Sequence, residues 1–216
     1  MIETLAYANR SGWGWNVHLA RLPSGGLFVY SPAWLGDDTF AQIEKHGTPE
    51  VLFAPNHVHH ISLEKYRQRW PKAVACASKR ALKRLGQQGH PGMVDAAEAP
   101  LPAGARLLAT EGTNSGETIL SVDGEWITAD AFCNFEKRVT GVTGAVLRLL
   151  QVSTGGISVG RLFEWFVCKD PRRYCAWLQE QVDAEKPKKI YFSHGVPASG
   201  PDVGARLVAE AKRRLL

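Results

Sequence analysis

The sequence predicts a soluble, layered α/β domain. Three observations carry that expectation: short apolar runs of strand length alternate with amphipathic helical stretches, no run is long enough to span a bilayer, and several strands end in histidine or aspartate. With 216 residues, 44% apolar and 22% charged, the composition is that of an ordinary globular chain, so one domain over residues 1–216 is expected.

The elements follow in order. Asn16 to Leu22 alternates as a strand, Pro23 to Gly26 supplies a turn, and Leu27 to Tyr30 returns as a second strand. Asp37 and Asp38 start a helix that Gly47 and Pro49 stop. Val51 to Ala54 is a buried strand running into Pro55 and the segment Asn56 to His60, after which Ser62 opens a helix through Trp70. A strand (Ala73 to Ala77) and a basic helix (Ser78 to Leu85) precede a Gly-, Pro- and Ala-rich surface connection from Gly86 to Gly104. Arg106 to Thr110, Glu117 to Val122 and Glu125 to Ala129 read as strands, with Asp123-Gly124 turning the last pair. Helices are expected around Val146 to Val152, from Val159 through Cys168, and from Pro171 onward. Lys189 to Ser193 is a further buried strand, and an amphipathic helix follows Pro201 and Asp202.

The net charge of +5 raises nucleic acid as a partner, but the basic residues are scattered over helix faces with no aromatic platform between them, so that partner is disfavoured. No leader-like basic and apolar start precedes the first strand, and Cys76, Cys133, Cys168 and Cys175 form no C-x-x-C pair. Free thiols in a cytoplasmic, membrane-free setting are the expectation.

Three strands end in metal-ligand types: His57, His59 and His60 after Ala54, Asp130 after Ala129, and His194 after Ser193. Strand ends combine a rigid backbone with side chains free to meet in one crevice. Taken singly, each has a plainer reading: the histidines as a polar loop, Asp130 as a helix cap, His194 as a strand exit. Together they favour one divalent ion, zinc by preference, with iron or manganese also suited to imidazole and carboxylate.

The segment Val51 to Ile61, the stretch Ile119 to Ala131 ending Thr128-Ala129-Asp130-Ala131, and Phe192-Ser193-His194-Gly195 resemble, in order and spacing, the ligand motifs of the metallo-β-lactamase superfamily. The resemblance implies a four-layer αββα sandwich of two mixed sheets flanked by helices. It is nearest to a poorly characterised branch with degenerate motifs. Pro55 stands where the family has a first histidine, His59 where it has an aspartate, and Thr113 in Glu111-Gly112-Thr113-Asn114 where it has another histidine. The resemblance leaves the first metal position with His57 and Asp130, and the second with His60, Asp130 and His194, His59 serving as a substitute ligand.

A reduced, mononuclear centre is therefore expected, with Asp130 and His60 carrying catalysis. A divalent ion there would lower the pKa of bound water, to about 7 in favourable sites, and so generate a nucleophile for hydrolysis of a small-molecule substrate. Thr113 and Asn114 are the candidate substrate contacts, and Trp13 and Trp15 candidate rim residues. The cluster Leu162 to Phe166 reads as core or subunit contact, the latter in a homodimer. The competing reading is a catalytically inactive member that binds a ligand or partner. A nuclease, the third reading, lacks the two-metal ligand set and a clamping domain.

Overall fold

The computed structural model describes residues 2–8, 14–135, 140–149 and 156–216. The first sheet holds β1 (Ile2–Ala8), β2 (Gly14–Arg21), β3 (Leu27–Tyr30), β4 (Pro49–Ala54), β5 (Val74–Ala77) and β6 (Val94–Asp95), side by side in that order. Its first two pairings are antiparallel and the rest parallel. Helices α1 (Thr39–Glu44), α2 (Leu63–Arg69) and α3 (Lys79–Gln87) fall between its strands.

The second sheet begins with β7 (Ala105–Ala109), β8 (Thr118–Val122) and β9 (Glu125–Thr128). A small pair, β10 (Cys133–Phe135) and β11 (Gly156–Ser158), flanks α4 (Gly141–Leu149). Then come α5 (Pro171–Glu185), β12 (Lys189–Phe192), β13 (Ala198–Ser199) and α6 (Val203–Leu215). The order across this sheet is β13-β12-β9-β8-β7, with β12 parallel to β9 and the other pairs antiparallel.

The layers follow from the period-2 alternation of side chains. Phe28, Tyr30, Val51 and Phe53 on one sheet meet Leu120, Val122, Ile127 and Tyr191 on the other, forming the central core. Their neighbours in sequence face outward: Leu27, Val29 and Leu52 pack on Ile43, Leu63 and Tyr66 of α1 and α2. On the far side Ile119, Trp126, Ile190 and Phe192 pack on Leu178 of α5 and Leu207 of α6. Both faces of each sheet are thus covered, which is why these strands read as continuous apolar runs. The αββα sandwich expected from the sequence is the architecture observed.

Local chemistry agrees at several joints. Asp123 and Gly124 both adopt positive φ, 50° and 79°, the left-handed pair that a tight β8–β9 hairpin requires. Pro171 opens α5 with Asp170 capping it through the Arg173 N–H. Ser62 differs: its hydroxyl accepts the Trp34 backbone N–H at 3.0 Å instead of capping α2. The stretch expected as a helix from Val159 contains a single π-type turn, Phe163–Val167, with Phe163 buried and Leu162, Trp165 and Phe166 exposed. The helix expected around Val146 is α4, starting at Gly141; residues 150–152 lie outside the described ones. All four cysteines are free and buried. Among the described residues no helix is long and apolar enough to cross a membrane.

Candidate metal centre

The register of β9 and β12 brings two of the strand-end groups level. Thr128 pairs with Phe192, so Asp130 and His194 each stand two residues beyond the same rung. The ladder continues through the Ser193 N–H, which donates to the Thr128 carbonyl at 3.0 Å. The other sheet brings His59, on the loop after β4, to the same point. His59, Asp130 and His194 offer three ligand atoms all within 4.8 Å of one another.

Each of these side chains is oriented from behind. Asn56 holds the loop: its Oδ1 accepts the backbone N–H groups of Val58 and His59 at 2.7 and 2.9 Å, while its Nδ2 donates to Asp130 Oδ2 at 2.7 Å. That leaves Asp130 Oδ1 facing His59 Nε2 at 2.8 Å and His194 Nε2 at 3.6 Å. His194 Nδ1–H donates to the Gly14 carbonyl at 3.0 Å, and His59 Nδ1 lies 2.6 Å from Ser31 Oγ. With both Nδ1 atoms engaged, both Nε2 atoms are directed at the shared carboxylate, the usual way a metal-binding histidine is held.

The His194 loop is clamped from two sides. Asn16 Nδ2 donates to the carbonyls of Phe192 and Gly195 at 2.6 Å each, and Asn134 exchanges backbone bonds with His194 and Val196 at 3.1 and 2.8 Å. Gly195 has φ +100°, and a Cβ there would sit 1.9 Å from the Asn134 carbonyl oxygen, so only glycine fits. His18, wholly buried beneath, has its pKa lowered to about 3 by burial, and its neutral ring donates from Nε2 to the Phe192 carbonyl at 3.2 Å.

The electrostatics of the pair favour the charged form of each partner. Burial alone would favour neutral groups, but the Asp130 charge and hydrogen bond, helped by Glu117, raise the pKa of His59. Burial likewise opposes ionisation of Asp130, yet His59 and His194 hold its carboxyl well below the usual carboxylate range. Glu117 lies under this loop, 1% exposed, accepting from the Ala129 and Ala131 N–H groups and from Thr128 Oγ1. Burial and the Asp130 charge push it up to about 7 against those hydrogen bonds and His59.

The remaining sequence-based candidates fall elsewhere. His57 Nδ1 donates to the Ser115 carbonyl at 2.9 Å, and His60 Nδ1 is hydrogen-bonded to His90 Nε2 at 2.7 Å. Neither belongs to the group that could hold a metal ion, which takes His59, Asp130 and His194 from the five expected ligands. The physical reason is the Asn56 cap, which sets the turn so that His59 rather than its neighbours points inward. Thr113 and Asn114, the expected substrate contacts, lie elsewhere: Thr113 Oγ1 is buried against Thr110 Oγ1 at 2.8 Å, the Asn114 N–H donates to the Val167 carbonyl, and neither lines the cleft beside His59, Asp130 and His194. That cleft, about 410 Å³, is walled by Trp15, Pro32, Ala33, Trp34, Val58 and Ile61 around the ligand group. Trp13 lies outside the described residues. Sequence reasoning leaves out Ser31, Asn56, Glu117 and Gly14; of these only Asn56 carries a readable signal, as a short polar side chain able to cap the loop that follows a strand.

The donor set fits a divalent cation: two imidazole nitrogens and one carboxylate oxygen, net charge −1 with both rings neutral, open to a cleft. The two packed mixed sheets, the helices on their outer faces and a ligand group at their shared edge define the metallo-β-lactamase fold. A metallo-β-lactamase from Pontibacter korlensis matches with a TM-score of 0.62 at 10% identity, over 99% of this chain and 94% of that one. The DIM-1 metallo-β-lactamase matches at 0.62 and 10%, over 98% and 93%. Rubredoxin oxygen:oxidoreductase from the anaerobe Desulfovibrio gigas matches at 0.64 and 11%, over 98% of this chain but 59% of that longer one. At such identities the likeness is one of fold alone. No family model matches the chain, and no curated protein matches it in sequence.

Proposed function

We propose that the protein is a hydrolase working with one divalent metal ion, zinc by preference, held by His59, Asp130 and His194. The observation that supports this reading is the paired orientation of the two histidines: Nδ1 of each is occupied, by Ser31 and by Gly14, and Nε2 of each faces Asp130 Oδ1. A divalent ion in such a donor set is a Lewis acid that acidifies water and polarises a carbonyl or phosphoryl oxygen. The residues of the chain supply the rest. Asn56 occupies Asp130 Oδ2 and so reserves Oδ1 for the centre, and the two clamps on the His194 loop keep its ring from drifting. In the reaction, the oxygen of water bonds to the electrophilic carbon or phosphorus. The bond to the leaving group breaks, and the water protons pass to the leaving group and to solvent.

One observation favours a second reading, a metal-free binding module: His59 and Asp130 already satisfy each other at 2.8 Å. Metal analysis after zinc loading and desalting separates the two. We expect one ion per chain, lost in His59→Ala, Asp130→Ala and His194→Ala and retained in His57→Ala and His60→Ala. Failure of the parent protein to retain zinc, or loss in His60→Ala as complete as in His59→Ala, would overturn the metal reading.

A further inference from the structure

We propose that the cleft selects uncharged carbonyl substrates with an aromatic or branched aliphatic body, seated between Trp15 and Trp34 while the carbonyl faces Asp130. The inference rests on the hydrolase reading above and adds the class of molecule it would take.

Exposure at the mouth is the first argument. Trp15, Val58 and Ile61 are 40%, 46% and 85% exposed, and all three open onto this one cleft. Large apolar side chains left in water and gathered around a concavity mark a place where apolar surface is to be covered. Behind them Pro32 and Ala33 complete an apolar wall, and its volume of about 410 Å³ lies within the range of small-molecule sites.

The second argument is charge. Among the described lining residues the polar ones are Ser31, Ser62 and the ligand group itself, with no lysine or arginine. The two serines are already engaged, Ser31 by His59 and Ser62 by the Trp34 N–H. Among the described residues that line the cleft, an anionic substituent away from the reacting carbon meets no guanidinium or ammonium group; the Lys65 ammonium lies over the Trp34 ring. A neutral hydrocarbon body loses nothing on entering.

The third is rigidity. Trp34 is held by its backbone N–H bond to Ser62 Oγ, and its ring by an edge contact with Phe40 at 5.2 Å between centroids and by the Lys65 ammonium 4.2 Å from its centroid. Trp15 stands edge-on to the His194 ring at 6.3 Å, beside Asn16, which is tied to the His194 loop. Walls already in place demand little ordering when a flat group enters.

Hydroxamates test this on the zinc-loaded protein, since they present a chelating head with a tail of choice. Phenylpropionohydroxamate should bind about tenfold tighter than acetohydroxamate, or more, from the burial of its ring. The carboxylate-tailed succinate monohydroxamate should gain nothing. Trp15→Ala and Trp34→Ala should each bring the ratio of phenylpropionohydroxamate to acetohydroxamate affinity close to one. Equal binding of phenyl and methyl compounds, or tighter binding of the carboxylate, would overturn the proposal while leaving the metal reading intact. Failure of every hydroxamate counts against the metal, and a companion measurement on the metal-free protein then decides for the cleft. Phenylpropionamide but not propionamide should shift the indole N–H resonances of Trp15 and Trp34, and absence of that shift overturns the proposal.

Discussion

His59 Nε2 lies 2.8 Å from Asp130 Oδ1, and this one contact joins a loop of the first sheet to a strand end of the second. Both groups are largely withdrawn from water, with side chains 8% and 26% exposed, so their charges interact strongly. The same carboxylate oxygen is the one a cation would take.

A cation must therefore compete with a proton. The pKa of His59 is raised above its ordinary 6.5, so its contribution to stability is full below 6.5 and is lost as pH rises through the folded value. That of Asp130 is depressed below 3.8, so its contribution is present above 3.8 and lost as pH falls through the folded value. The metal-free protein should draw most from this pair between those two pH values, and Asp130→Asn should abolish that advantage in thermal melts. Zinc binding should expel the His59 proton, so affinity should rise about tenfold per pH unit below the folded pKa of His59. Calorimetry in buffers of different ionisation enthalpy reads the released proton directly, and binding without proton release contradicts the pairing.

Glu117 adds a pH dependence of its own. Its folded pKa of about 7 stands above the ordinary 4.5, so its contribution is full below 4.5 and is lost as pH rises through 7. The separation corresponds to roughly 3 kcal/mol across that window, in a group almost wholly buried. Glu117→Gln should flatten the fall in melting temperature between pH 4.5 and 7; an unchanged slope would place its origin elsewhere.

Asn56 links the loop to Asp130 through three hydrogen bonds. Asn56→Ala should cost about 1–3 kcal/mol in chemical denaturation and weaken zinc binding by about tenfold or more, because the cap and the carboxylate partner disappear together. Loss of stability with unaltered zinc affinity would show that Asp130 needs no such support.

Gly195→Ala forces a Cβ to within 1.9 Å of the Asn134 carbonyl oxygen at a φ of +100°. The backbone must move, and His194 with it. We expect destabilisation of about 3 kcal/mol or more and loss of the bound ion. A variant that melts normally and keeps zinc would contradict the clamp.

Much of this was legible in the chain itself. The apolar runs of Leu27 to Tyr30, Val51 to Ala54 and Lys189 to Ser193 mark strands covered on both faces, and Asp123-Gly124 marks its hairpin, because these signals depend on residues adjacent in sequence. Asp130 and His194 were legible as candidate ligands for a related reason: each directly follows a strand, and a strand end has one direction in which to project. The three histidines at 57, 59 and 60 were not separable in this way, since they sit in an irregular turn without a period to sort them.

What the sequence determined by itself was a layered α/β chain and the strand ends at which chemistry would collect, since local patterning sets which residues form strands and which faces are buried; the αββα sandwich was implied by the resemblance of three segments to metallo-β-lactamase ligand motifs. Only the tertiary structure decided that His59 joins Asp130 and His194, that His60 goes to His90 and His57 to Ser115, and that tryptophans from two separate segments face one cleft. Those choices depend on the Asn56 turn and on Ser31, Gly14 and His90, partners 28, 180 and 30 residues away from the histidines they touch. Such contacts exist only after the two sheets have packed, so no local pattern encodes them.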